Sequence, residues 1–125
     1  MEIIKTPIKG LLVISPNIFG DERGYFFESW NKQTYKDIGL DVEFVQDNES
    51  LSQKGVLRGL HFQEPPFAQA KLVRVVKGSV LDVVVDIRKD SETYGQHFSL
   101  NLSEGNKKMI WIPSGFAHGF LTLED

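Results

Sequence analysis

Val80-Leu-Asp-Val-Val-Val-Asp-Ile87 decides the fold class. Read as a strand, it puts Leu81, Val83, Val85 and Ile87 on one face and Val80, Asp82, Val84 and Asp86 on the other. Two carboxylates therefore point the same way from the middle of an apolar strand, and a packed β domain seldom uses core-facing positions so without a reason. A solvent-facing edge would explain Asp86, near the strand end, somewhat better than it explains Asp82. Asp82, on the inward face of a central strand, is the stronger functional candidate.

The same period of two extends outward along the chain. Leu11–Ser15, Tyr25–Trp30, Val42–Gln46, Val56–Phe62, Lys71–Lys77, His97–Leu102, Lys107–Ile112 and Gly119–Leu123 are short, rich in Val, Ile, Leu and Phe, and separated by turn residues such as Lys77-Gly78 and Ser103-Glu-Gly-Asn106. That rhythm predicts an all-β sandwich or barrel. Only Asn31–Ile38 has a helical pattern, with Asn31 as N-cap and Gly39 as the residue after the end. No repeat or linker interrupts the chain, and the Pro65-Pro66 pair marks a loop, so residues 1–125 are expected to form a single domain.

Composition narrows the function. The net charge of −3 argues against a domain whose main task is gripping nucleic acid or anionic lipid. Zero cysteines exclude a disulfide scaffold, a thiolate zinc site and a catalytic thiol. No apolar run approaches the roughly 20 residues that a membrane span requires, and the N-terminus carries no leader pattern. The expected compartment is the cytoplasm, with no membrane partner and no nucleic acid.

Three segments carry residues suited to chemistry. In Val56-Leu-Arg-Gly-Leu-His-Phe-Gln63 a bulge at Gly59 would bring Arg58 and His61 together, and flanking Leu and Phe would leave the imidazole partly desolvated and able to act as a base. Lys71 opens another strand ten residues later, and Glu64–Ala70 is long enough to fold the two strands together. In Ile112-Pro-Ser-Gly-Phe-Ala-His-Gly-Phe120 a tight turn delivers His118 to a strand between aromatics. Among Arg23, Phe26, Phe27, Glu28, Gln46, Asp47 and Asn48, an arginine suits phosphate, an aromatic stacks on a base, and amides read a base or sugar edge. A hairpin turn plus a loop explains that last group equally well.

Taken together, these blocks resemble the dTDP-4-dehydrorhamnose 3,5-epimerase family of the cupin superfamily. The resemblance runs from about Ile4 to Leu123 and is carried by Phe19-Gly-Asp-Glu-Arg-Gly24 with Phe27-Glu28, Phe44-Val-Gln-Asp-Asn48, Val56–Gln63, Lys71-Leu-Val-Arg74, Val85-Asp-Ile-Arg88 and Trp111–Phe120. It implies a jelly-roll β-barrel assembled as a homodimer, acting on a dTDP-4-dehydro-6-deoxy sugar in dTDP-L-rhamnose biosynthesis. It further implies His61 as general base, Lys71 beside the substrate ketone, and Arg23, Glu28, Gln46, Asp47, Asn48, Arg58 and His118 around the nucleotide sugar, with Phe26 or Phe27 against the thymine. Inverting C3 and C5 requires loss of a proton α to the C4 carbonyl, an enolate, and a proton returned to the opposite face.

No cofactor is implied. Many cupins hold a metal with two histidines one residue apart, whereas the corresponding stretch here is His61-Phe-Gln63, with one imidazole. A two-histidine site completed by Asp82 is a weaker reading than a site without metal. The resemblance places the family's acid tyrosine and the aspartate partner of its base beyond position 125, so a C-terminally truncated domain is expected. Asp82 is then the best candidate within the chain for orienting His61. The competing readings are a nucleotide-sugar-binding cupin fragment that does not turn its ligand over, and a related 3-epimerase or 3,4-ketoisomerase.

Overall fold

The computed structural model describes residues 1–62 and 69–125. Gln63 of the histidine-bearing segment, the Pro65-Pro66 pair and most of the predicted Glu64–Ala70 connection lie outside the described residues. Two compact units emerge: residues 1–15 with 52–125, and residues 16–51.

The larger unit is built from two four-stranded antiparallel sheets. The first has the order β1 (Glu2–Lys5), β2 (Leu12–Ser15), β9 (Met109–Ile112), β6 (Lys71–Arg74); the second has the order β5 (Leu57–His61), β10 (Phe116–Glu124), β7 (Ser79–Asp86), β8 (His97–Ser103). Neighbours far apart in sequence, such as β2 with β9 and β5 with β10, are the crossing connections expected of a jelly roll. Ile8, Leu11, Val84, Leu102, Ile110, Ile112 and Phe116 form the core between the sheets, with Val73, Val80, Phe98 and Leu100 packed against it. The alternation in β7 works as the sequence predicts: Val80, Asp82, Val84 and Asp86 share the core face. Asp86 departs from expectation. It is fully buried, not at a solvent-facing edge, because Arg88, Ser91 and Thr93 supply the hydrogen bonds that water would otherwise give.

The smaller unit contains a hairpin of β3 (Phe19–Asp21) and β4 (Gly24–Phe26), and one helix, α1 (Lys32–Asp37). Asn31 caps the helix as predicted, its side-chain oxygen accepting from the backbone N–H groups of Gln33 and Thr34 at 3.0 and 3.1 Å. Tyr35 anchors it from within, almost wholly buried, its hydroxyl donating to the Ser29 carbonyl at 2.8 Å. Trp30 lies beside it and meets Phe44 edge-on at 5.4 Å. The predicted strand Val42–Gln46 is absent, and the one predicted over Tyr25–Trp30 ends at Phe26. Both have the right alternation, but among the described residues only Gly24–Phe26 finds a ladder partner, in β3.

Candidate active site

The site grows from the pairing of β10 with its two neighbours. On one side His118 stands opposite His61 and Phe120 opposite Arg58. Between these pairs one residue of β10, Gly119, is matched by two of β5, Gly59 and Leu60, so β5 carries one extra residue there: the bulge that the glycine allowed. Its consequence is that Arg58 and His61, which would face opposite ways in a regular strand, share the face that His118 and Phe120 occupy. Gly59 is required twice over. Its φ is +118°, and a Cβ there would sit 2.5 Å from the Gly119 Cα.

On the other side of β10, His118 stands opposite Val84 and Phe120 opposite Asp82. From there the Asp82 carboxylate meets the His118 ring, with Nε2 at 3.0 and 2.8 Å from its two oxygens. The pair is buried, Asp82 completely and His118 to 9% exposure. Burial raises the Asp82 carboxyl above its ordinary value, an effect partly offset by the hydrogen bond and charge of His118 and by the charge of Lys71. Lys71 belongs to the facing sheet, on the same face of β6 as Val73, which packs on the core. The Lys71 charge therefore acts on the carboxylate–imidazole pair from the facing sheet.

Three expectations need correction. Asp82 does not orient His61; its partner is His118, because the register places His118 beside β7 and leaves His61 one strand further out. Nor is His61 desolvated by its neighbours. All five residues of β5 are exposed, with Leu57 at 71% and Leu60 at 53%, because β5 is the outer strand of its sheet. Nor do β5 and β6, expected to fold together, pair, since they belong to different sheets. Arg58 donates from Nε to the Ser52 hydroxyl at 2.9 Å.

The remaining candidates belong to the smaller unit. Arg23, in the β3–β4 turn, forks onto Asp21 with Nη2 at 2.7 and Nε at 3.2 Å, and this exposed pair lowers the Asp21 carboxyl and raises the guanidinium. Phe26 is 70% exposed, while Phe27 stacks on Tyr25 with ring centres 6.1 Å apart. Glu28, Gln46, Asp47 and Asn48 are exposed, and the Gln46 amide donates to the Asn48 side chain at 3.3 Å. Among the described residues no group of three or more His, Asp and Glu side chains is arranged to hold a metal ion.

One cluster escaped the sequence reading. Around Asp86, Arg88 donates from Nε and Nη2 at 3.1 Å each and from its backbone N–H at 2.9 Å, and the hydroxyls of Ser91 and Thr93 add bonds of 2.6 and 2.5 Å. Burial pushes this carboxyl up, but the combined hydrogen bonds overcome it and hold it far below the usual carboxylate range. The available signal was local: an arginine two places after a core-facing acid, followed by Ser-Glu-Thr.

The family model for dTDP-4-dehydrorhamnose 3,5-epimerase matches residues 5–125. The enzyme of that name from Salmonella typhimurium is 59% identical over the whole chain, which covers 69% of that relative. Among solved structures, the dTDP-4-dehydrorhamnose 3,5-epimerase of Bacillus anthracis with TDP and PPi bound aligns with a TM-score of 0.95 at 45% identity, over 98% of this chain and 71% of that one. A dTDP-6-deoxy-D-glucose-3,5-epimerase from Legionella pneumophila in complex with dTDP-4-keto-L-rhamnose aligns with a TM-score of 0.93 at 53% identity, over 98% of this chain and 65% of that one. The chain thus spans about two thirds of the length of these relatives.

Proposed function

The chain belongs to the dTDP-4-dehydrorhamnose 3,5-epimerase family, and on that premise we propose that it inverts C3 and C5 of a dTDP-4-dehydro-6-deoxy sugar, an isomerase step in dTDP-L-rhamnose biosynthesis. The observation that carries the reading is the bulged pairing of β5 with β10, which sets His61 beside His118 on the face that also holds Arg58 and Asp82.

In this reading His61 takes the proton α to the C4 ketone. Lys71, from the facing sheet, stabilises the enolate oxygen as charge develops there. Asp82 holds the His118 ring in one orientation, and the low-dielectric surroundings of that pair strengthen its hold on a polar substrate group. Arg58 and Arg23 are assigned to the diphosphate, whose planar P–O edges suit a guanidinium fork. Phe26 or Phe27 is assigned to the thymine, and Glu28, Gln46, Asp47 and Asn48 to polar edges of the nucleotide sugar. No cofactor takes part, since a ketone already present acidifies both neighbouring C–H bonds.

We further infer that the active form is a cytoplasmic homodimer. Leu57, Leu81, Val83, Val85 and Leu121 form an aliphatic row on the outer face of the second sheet, none of them fully buried, and a second copy would cover it. Light scattering at micromolar concentration should return twice the chain mass of 14.2 kDa; a monomer would overturn the inference.

The activity is tested by incubating the protein with dTDP-4-keto-6-deoxyglucose in deuterium oxide and following label at C3 and C5 by NMR. Wild type should exchange both positions, and His61→Asn should slow exchange roughly a hundredfold or more. Binding without exchange would sink the enzymatic reading in favour of a nucleotide-sugar-binding module. Exchange confined to C3 would identify a 3-epimerase.

A further inference from the structure

His118 stands opposite Val84, so its diagonal neighbours on β7 are Asp82 and Asp86, two residues to either side on the same face and both fully buried. Diagonal neighbours lie within reach of an aromatic-sized side chain. The symmetric pattern Asp-Val-Val-Val-Asp does not tell the imidazole which acid to take. In the structure it takes Asp82, on the side of Lys71.

What distinguishes the two acids is occupancy. The oxygens of Asp86 are covered by three donors of Arg88 and by the hydroxyls of Ser91 and Thr93. Arg88 is itself fixed: Nη2 donates to the Lys9 carbonyl at 2.9 Å, and the guanidinium carbon lies 4.7 Å from the centre of the Phe116 ring. Its stem fills the space over Gly115, where a Cβ would sit 2.6 Å from the Arg88 Cγ and where φ is +94°. Phe116 stands opposite Asp86 and precedes His118 by two residues on the same face. Arg88 thus touches the competing carboxylate and lies against Gly115 and Phe116, which lead into His118.

We propose that Arg88 is a positioning residue of the site: by saturating Asp86 and seating Gly115-Phe116, it reserves the His118 imidazole for Asp82. The inference rests on reading His118 as a residue of the active site, but its primary test uses no substrate. Only three histidines are present, so the imidazole nitrogen signals of a histidine-labelled chain can be assigned one by one. In Arg88→Met the uncovered Asp86 competes for the ring, and the His118 signals move away from their wild-type positions. In the double variant Arg88→Met with Asp86→Asn the competitor is gone, and the His118 signals return toward wild type. C3 and C5 exchange should follow the same order, falling about tenfold or more in the single variant and recovering in the double.

A merely structural role predicts the reverse, because a second lesion in the cluster would add to the first. His118 signals unmoved in Arg88→Met, or no nearer to wild type in the double variant, overturn the proposal. Should Arg88→Met not fold, Arg88→Lys carries the test: one ammonium cannot cover both oxygens, so a smaller displacement in the same direction is expected, and none overturns the proposal. Absence of exchange in wild type would sink the catalytic reading while leaving the NMR result to decide the role of Arg88.

Discussion

At the scale of single residues, the two buried acids of β7 have opposite electrostatic signs. Burial raises the Asp82 carboxyl, so its ionised form costs stability at neutral pH, and that cost fades as pH falls through the folded value. Asp82→Asn should therefore leave the melting temperature unchanged or raise it slightly, while exchange falls about a hundredfold because His118 loses its fixed orientation. Asp86 is held low by its donors despite burial, so its ionised form stabilises the fold. Asp86→Asn should cost about 3 kcal/mol by stranding Arg88, measured by urea unfolding. Gly59 is the third decisive residue. With its would-be Cβ 2.5 Å from the Gly119 Cα, Gly59→Ala must open the β5–β10 pairing, at roughly 2 kcal/mol or more, and His61 would lose its place beside His118. Wild-type stability and exchange in that variant would refute the role of the bulge.

At the scale of elements, β10 organises the site and α1 organises the smaller unit. β10 pairs on both sides, with β5 and β7, and His118 has a partner in each ladder, His61 in one and Val84 in the other. The helix spans only Lys32–Asp37 and is too short to persist by propensity; its cap and Tyr35 hold it. Asn31→Ala should destabilise it by about 1 kcal/mol, visible as faster amide exchange in that segment. Burial raises the Tyr35 phenol to about 12. An unfolded tyrosine ionises near 10, so the stability it contributes is complete below that pH and is lost as pH rises through the folded value. Alkaline titration should show this unit loosening above about pH 10. The helix and its cap were legible in the sequence because such signals are local. The strand predicted at Val42–Gln46 was not, since alternation describes a face and a strand exists only where another strand pairs with it.

At the scale of the whole molecule, acid should weaken the fold through Asp86 and not through Asp82, whose protonation relieves a cost. The Asp86 contribution is fully present above the ordinary carboxylate range and is lost as pH falls below about 4 toward its depressed folded value. The cluster joins the end of β7 to residues 88–93 and, through Arg88, to the Lys9 carbonyl, so its loss should unfasten one end of the two-sheet unit. Circular dichroism followed down in pH should show an acid transition that shifts upward in Asp86→Asn. The all-β class, the capped helix and, through six ordered blocks, the family were legible in the amino-acid order, whereas the register showed that Gly59 bulges. The legible features follow from periodicity, backbone conformation and motif, all of which are written in neighbouring residues. Tertiary structure alone decided that Asp82 serves His118 and not His61, that Asp86 is buried, and that β5 is left exposed. Those outcomes depend on the register between strands more than thirty residues apart and on which donors reach a carboxylate first, and no local pattern encodes either.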